Sequence, residues 1–198
     1  MKMQNRNRMQ NILVLSGIVL LAGAAVLLLF WQVGIHTAER RAETYVHAIR
    51  TLIPEPQGAV PEERRDNTMP VLSVKGTDFI GILEMPRHGS ALPVCADWGK
   101  PHRYPCRFDG SVYNTTLQIG GTSQKGQFDF FREISVGDSV YFTDMEGNRY
   151  GFTVADLLYS EHTDQAALHA RDAALTLFIK NIYAFEYVIV FCDIPGGG

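Results

Sequence analysis

The fold of this chain is indicated most clearly by residues 175–180, LTLFIK, and residues 187–192, YVIVFC, which a short loop separates. Both runs are rich in β-branched and aromatic side chains, which is typical of β-strands. Residues 188–191 are apolar at every position, so both faces of that strand are expected to be buried. The pattern therefore predicts a central strand of a sheet, with another strand just before it.

Further short apolar runs extend this pattern towards the N-terminus. They occur at residues 79–85, 115–119, 139–143 and 150–158. Residues 145–148, MEGN, form a strong hairpin-turn sequence between the last two runs. Residues 128–134 and 165–171 suit single helical turns or short helices. Many short strands with few helices predict a mostly-β domain over residues 70–195 that closes, or nearly closes, into a barrel.

An apolar run without charge, residues 12–31, precedes the domain. A helix of this length spans about 30 Å, the thickness of the hydrocarbon core of a bilayer. Three basic residues and no acidic residue come before it, which predicts that residues 1–11 form a cytoplasmic tail. The small residues 22–24 also suit a cleaved signal peptide, but the apolar run continues beyond them. We therefore expect a single-pass transmembrane helix that anchors an extracytoplasmic domain in the cell membrane.

Residues 32–69 are expected to form a stalk that links this helix to the domain. Apolar residues recur at helical spacing from residue 37 to residue 53, which predicts a helix there. Such a helix could bind a partner, but we expect it to lie against the membrane or the domain. Several prolines, from Pro54 to Pro70, then break any helix, and residues 62–66, EERRD, form a solvated charge run.

The composition excludes several classes of function. Apolar residues make up 46% of the chain, and 18 Lys and Arg against 21 Asp and Glu give a formal charge of −3. A nucleic-acid partner is not expected, because no cationic stripe is present. Residues 121–126, GTSQKG, lack the Lys-Ser/Thr pair with which a phosphate loop ends. Residues 161–164, EHTD, could bind a metal but have no partner cluster, so no metal and no cofactor is expected.

The order of several short motifs resembles a known family, the sortases. The matching stretches are GILEMP (81–86), LPV (92–94), YPCRFDGS (104–111), VGDSVYFTDMEGN (136–148), LTLF (175–178) and VIVFC (188–192). They cover about residues 79–194 without long gaps, and they look most like the class B and class D sortases of Gram-positive bacteria. The resemblance implies a sortase-like β-barrel with a peptide cleft, one wall of which residues 159–174 would form.

The resemblance also implies a particular chemistry. Sortases cleave a sorting-signal peptide and join it to an amine of the cell wall or a pilus. A cysteine thiolate forms a thioester with the peptide, a histidine carries the proton to the leaving amine, and an arginine stabilises the oxyanion. A thioester suits this reaction because a second amine can attack it readily.

All three family positions carry other residues in this chain. The family histidine follows a strand that matches residues 117–122, LQIGGT, where Thr122 stands in its place. The family cysteine closes a run that matches residues 176–180, TLFIK, where Lys180 stands. The family arginine opens the last strand, where Tyr187 stands. No catalytic residues of the family type are therefore expected.

Two hypotheses follow from these replacements. The first is a catalytically inactive pseudo-sortase that binds a sorting-signal-like peptide or a cell-surface partner. The alternative is an active sortase-type transpeptidase that uses Thr122 as nucleophile and Lys180 as base, or a triad located elsewhere. An ester on Thr122 could turn over, but a threonine hydroxyl is hindered and no cation remains to stabilise an oxyanion. A decaying copy without a selected role is a third reading.

The three cysteines do not restore the family chemistry. Cys192 lies in an apolar strand and is interpreted as a core residue. Cys95 and Cys106 are eleven positions apart and are either buried thiols or, outside the membrane, a disulfide pair.

Overall fold

A computed structural model of the protein describes residues 2–54, 68–99, 103–161 and 165–196. The chain divides into two units, residues 1–37 and residues 38–198. A long helix, α1 (Lys2–Leu52), forms the described part of the first unit and enters the second.

No helix in the described part of the chain combines the length and the apolar character that crossing a membrane requires. The structure therefore does not support the predicted transmembrane helix at residues 12–31. The side chains at both ends of that range, residues 12–13 and 30–31, lie outside the described part.

The C-terminal part of α1, from residue 38 onwards, packs against the strands of its own unit. Ala42, Val46 and Ile49 recur at helical spacing and are buried. The ring of Tyr45 lies 5.2 Å from that of Phe79. Residues 38–52 were assigned to the stalk from sequence, and in the structure their apolar face contributes to the domain core.

The described strands follow the long helix along the chain. They are β1 (Leu72–Val74), β2 (Thr77–Met85), β3 (Ser90–Cys95), β4 (Cys106–Asp109), β5 (Leu117–Thr122), β6 (Ser139–Asp144), β7 (Arg149–Ser160), β8 (Leu175–Asn181) and β9 (Glu186–Asp193). A short helix, α2 (Gln165–Leu168), precedes β8, and a 3₁₀ turn covers Phe131–Glu133.

The strands pair in the order β1-β2-β3-β4-β5-β8-β9-β7-β6, and β2 also pairs with β6. This last pairing closes eight strands, β2 to β9, into a barrel, and the prediction of a mostly-β closed barrel is confirmed. The pairs β3–β4 and β5–β8 are parallel, and all the others are antiparallel. β3 and β4 are joined through one residue pair, Cys95 and Cys106, which makes this the narrowest seam of the barrel.

The predicted central strand is confirmed. β9 lies between β7 and β8, and all four residues from 188 to 191 are at most 1% exposed. The predicted hairpin at residues 145–148 is also confirmed, because it joins β6 to β7. Asp144 stabilises this turn by accepting hydrogen bonds from the backbone N–H groups of Glu146 and Asn148, both at 2.9 Å.

Candidate functional site

The three positions to which the sequence analysis assigned the family chemistry are neighbours in this barrel. Thr122 at the end of β5 is opposite Lys180 of β8, and Lys180 is opposite Tyr187 of β9. Adjacent strands lie about 4.8 Å apart, so the three residues form a row across one end of the sheet.

Side chains on these strands alternate between the barrel interior and the outside. Interior positions include Leu117, Ile119, Leu175, Leu177, Ile179, Val188, Val190 and Cys192. The intervening residues form what we call the outer face, and these are Gln118, Gly120, Thr122, Thr176, Phe178, Lys180, Tyr187, Ile189 and Phe191. The row of three replaced positions therefore lies at one end of the outer face.

The hydroxyl group of Thr122 is shielded from solvent. The residue is 8% exposed, and its Oγ1 is buried with no hydrogen-bond partner among the described residues. The backbone N–H of Thr122 donates to Oε1 of Gln127 at 3.0 Å, and its carbonyl accepts from the N–H of Phe128 at 3.1 Å. These bonds hold the end of β5 in place, while Oγ1 contacts neither a base nor solvent.

Lys180 differs from Thr122 because its side chain is exposed. Its ammonium group forms no ion pair within the described residues, and it does not hydrogen-bond to Oγ1 of Thr122. The carbonyl of Lys180 accepts a hydrogen bond from the N–H of Ser123 at 2.9 Å, which ties the ends of β5 and β8 together. A nucleophile and base in hydrogen-bond contact, which a Thr–Lys dyad requires, are therefore not present.

The cysteines lie outside the row of replaced positions. Cys192 points into the core, as predicted, and burial raises the pKa of its thiol far above the usual value. Cys95 and Cys106 are buried thiols in a separate cluster with Ile49 and Phe79. Among the described residues, no thiol and no imidazole takes any of the nine outward positions.

Three aromatic side chains cover the middle of the outer face. Trp98, Phe108 and Phe178, which we call the aromatic triad, have ring centroids 5.3 Å apart in every pair. Phe178 is 4% exposed, whereas Trp98 and Phe108 are 38% and 37% exposed. Gly120 is required beneath them, because a Cβ atom there would lie 2.3 Å from the ring of Phe178.

The segment before β8 packs on the outer face beside the aromatic triad, and the surface from the triad to Gln118 is what we call the groove. Leu168 of α2 is 1% exposed and packs in a cluster with Phe178, Ile189 and Phe191. On the β4 side, a cavity of about 500 Å³ is lined in part by Arg107, Gln118 and His169. The Oε1 atom of Gln118 is buried and has no hydrogen-bond partner in the described part of the chain. The groove thus combines an apolar centre with a polar end.

A cavity of about 620 Å³ lies elsewhere, between α1 and the turn after β2, and His88 lines it. Nε2 of His88 lies 3.2 Å from a carboxylate oxygen of Asp138, and Arg87 donates to the other oxygen at 2.5 Å. Burial raises the pKa of Asp138, but the hydrogen bonds from Arg87, the N–H of Ser135 and His88 outweigh it and lower that pKa. These ionisable groups belong to a different part of the barrel from Thr122 and Lys180.

The described residues contain no group of three or more metal-ligating side chains. Of the metal-capable motif at residues 161–164, residues 162–164 lie outside the described part of the chain.

Comparison with known proteins identifies the fold. No protein-family model matches the sequence, and no curated protein matches it. Among solved structures, sortase C1 from Streptococcus agalactiae is similar, with 16% identity, a TM-score of 0.52, and coverage of 83% of this chain and 89% of that one. A pilus-related sortase C of group B Streptococcus is similar at 14% identity and a TM-score of 0.50, covering 81% and 94%. The chain has a sortase fold.

Sequence reasoning about this sortase fold did not find the aromatic triad. Its members come from the segment after β3, from β4 and from β8, so no spacing along the sequence links them. The sequence carries one local signal of it, Gly120, which lies between Gln118 and Thr122 inside a strand. A glycine inside a strand often marks a place where another group approaches the backbone closely.

Proposed function

We propose that this protein is a membrane-anchored, extracytoplasmic pseudo-sortase that is catalytically inactive and acts by binding a sorting-signal-like peptide. The observation that carries the proposal is the row of Thr122, Lys180 and Tyr187 across β5, β8 and β9. The three positions to which the resemblance assigns the family chemistry lie side by side in the sheet, but none of them carries the thiol, imidazole or guanidinium group of the family.

The chemistry of the row favours binding over catalysis. A nucleophile must be accessible to the peptide carbonyl and must be activated by a base within hydrogen-bond reach. Oγ1 of Thr122 is buried and has no such contact in the described chain. Lys180 is accessible, but an amide formed on it would resist attack by a second amine. The alternative of an active Thr122/Lys180 transpeptidase is therefore the weaker proposal.

The groove retains features that suit an extended peptide. Trp98 and Phe108 present partly exposed rings, and partly desolvated aromatic rings are frequent anchors in binding sites. At the other end of the groove, a cavity of about 500 Å³ that Arg107 and Gln118 line in part offers polar side chains to a peptide backbone. Gly120 beneath the triad and Gln118 at the cavity both belong to β5, so a peptide that contacts both would follow this strand.

The membrane anchor and the class assignment belong to this proposal and are supported by the sequence. Residues 12–31 form an uncharged apolar run behind a basic N-terminus, which is typical of a single-pass anchor with its N-terminus in the cytoplasm. The ordered motifs favour class B or class D. Fractionation of cells that express the full chain tests the anchor, because extraction at high pH without detergent would contradict it.

Binding is tested by titrating the full chain into a panel of labelled sorting-signal peptides and measuring fluorescence anisotropy. We expect saturable binding of at least one peptide with a micromolar dissociation constant. Trp98→Ala should weaken it by about tenfold, since a central aromatic anchor contributes more than about 1 kcal/mol. Trp98→Phe should recover part of the affinity.

Val136→Ala is the matched control, because Val136 is exposed and lies in the turn before β6, outside the groove. Its affinity should equal that of the unaltered chain. Absence of saturable binding across the panel, or equal affinities for Trp98→Ala and Val136→Ala, would contradict a peptide-binding groove.

A further inference from the structure

We infer that Cys95 and Cys106 are a disulfide-forming pair that cross-links the β3–β4 seam under oxidising conditions. The inference does not depend on the proposed function, because it concerns the two thiols of the β3–β4 seam and not the row of Thr122, Lys180 and Tyr187. It rests on the sheet register, on the shared surroundings of the two side chains and on the weakness of the seam.

The register places the two residues directly opposite each other. Cys95 ends β3 and Cys106 begins β4, and they are the paired residues of this parallel contact. Neighbouring strands lie about 4.8 Å apart, within the range of about 4.4–6.8 Å that a disulfide allows between Cα atoms. The backbone N–H of Cys95 also donates to the carbonyl of Pro105 at 2.8 Å, which fixes the two strand ends together.

Both side chains point to the same side of the sheet. Cys95 is 3% exposed and Cys106 is 0% exposed, and both pack in the cluster that contains Ile49 and Phe79. Side chains paired across neighbouring strands lie on the same face of the sheet, so the two side chains are neighbours there, and the Cys106 thiol donates to the carbonyl of Tyr104 at 3.3 Å. The remaining cysteine, Cys192, belongs to the separate core of the barrel interior.

The seam itself gives the cross-link a structural role. All other neighbouring strands of the barrel are joined through several residue pairs, whereas β3 and β4 are joined through this one pair. Local opening starts where few bonds must be broken, so this seam is where a small oxidant gains access to the buried thiols. A covalent bond here would brace the barrel at its narrowest connection.

The reaction needs a disulfide donor such as oxidised glutathione. The thiolate of one cysteine attacks the donor, forms a mixed disulfide and releases one reduced thiol. The second cysteine thiolate then attacks the mixed disulfide and releases the second reduced thiol. Two cysteine thiols are oxidised to one disulfide, and one donor disulfide is reduced to two thiols.

The test compares the full chain after equilibration with oxidised glutathione and with dithiothreitol. Each sample is denatured, alkylated with N-ethylmaleimide and examined by intact and peptide mass spectrometry. The reduced chain should carry three adducts, and the oxidised chain one adduct, on Cys192, together with a linked peptide pair that contains Cys95 and Cys106. Three adducts after oxidation, a stable glutathione adduct, or any link through Cys192 or between chains would overturn the inference.

Thermal unfolding gives a second, independent readout. The closed loop is short, and its cross-link should raise the unfolding midpoint of the oxidised chain by about 5–10 °C over the reduced chain. Cys192→Ala should keep this difference and Cys106→Ser should abolish it. If mass spectrometry shows the link but the oxidised and reduced chains unfold at the same midpoint, the bracing role is overturned.

Discussion

Replacing Gly120 with alanine should destabilise the domain by forcing apart the rings of the aromatic triad, which pack on this glycine. The new Cβ would lie 2.3 Å and 2.4 Å from two ring atoms of Phe178 and 2.5 Å from Cη2 of Trp98. Carbon atoms in ordinary contact are about 3.5–4.0 Å apart, so the rings must move by more than about 1 Å. Phe178 is 4% exposed and enclosed by its neighbours, so it has little room to move.

Overpacking of this kind costs about 1–3 kcal/mol of the free energy of unfolding. For a domain of this size, the thermal midpoint should fall by about 5 °C. Circular dichroism of the full chain measures this fall. The matched control is Gly151→Ala, a strand glycine of β7 whose Cβ would meet only Tyr141, at an ordinary 3.5 Å.

Making the same substitution in a chain that already carries Phe178→Leu tests whether the clash causes the loss of stability. Phe178→Leu removes the two ring atoms nearest to the new Cβ, so Gly120→Ala should cost about half as much or less in that background. Equal midpoints for Gly120→Ala and Gly151→Ala, or an unchanged cost in the Phe178→Leu background, would refute the close packing of Gly120 beneath the triad.

Three further predictions concern single side chains. Asp138→Asn should destabilise the domain by about 1–3 kcal/mol near pH 7, because the carboxylate holds Arg87 and His88. Since folding lowers the pKa of Asp138 below its ordinary 3.8, this contribution is present above that value and is lost as the pH falls through the lower, folded-state pKa. Urea unfolding of both chains from pH 7 to pH 3 should therefore show the difference shrinking in acid, and a constant difference would contradict the ion pair. Leu168→Ala should cost about 2–4 kcal/mol in the same assay, since this side chain is 1% exposed, and a loss below about 1 kcal/mol would mean that α2 does not cover the outer face. Thr122→Val should leave stability equal or raise it by up to about 1 kcal/mol, because it removes a buried hydroxyl that has no partner among the described residues, and a clear loss of stability would reveal a hydrogen bond to Oγ1.

The regular strands could be predicted because each carries its own signal. The run at residues 188–191 is apolar on both faces and became β9, and the turn at residues 145–148 became the hairpin between β6 and β7. By contrast, β3 and β4 were not predicted. Pro93 lies inside β3. Its missing N–H is tolerated because β3 pairs with β4 at Cys95 and not at Pro93.

The candidate site was predictable only as far as the family resemblance reached. It assigned Thr122, Lys180 and Tyr187 to three strands that the structure places side by side. Neither the exposure of Lys180 nor the burial of the Thr122 hydroxyl follows from residue type, because both depend on how loops and α2 cover the outer face. The sequence left the packing of residues 38–52 open between the membrane and the domain, since an amphipathic helix does not specify which surface covers its apolar face.

The central claim is that this sortase-fold domain does not break or form peptide bonds. The most direct measurement is mass spectrometry of the full chain after incubation with sorting-signal peptides and an amine nucleophile, with a competent sortase as the positive control on the same peptides. We expect intact peptides and an unmodified chain where the positive control gives cleaved and transferred products. Cleaved peptide, or an acyl group attached to any residue of the chain, would contradict the claim.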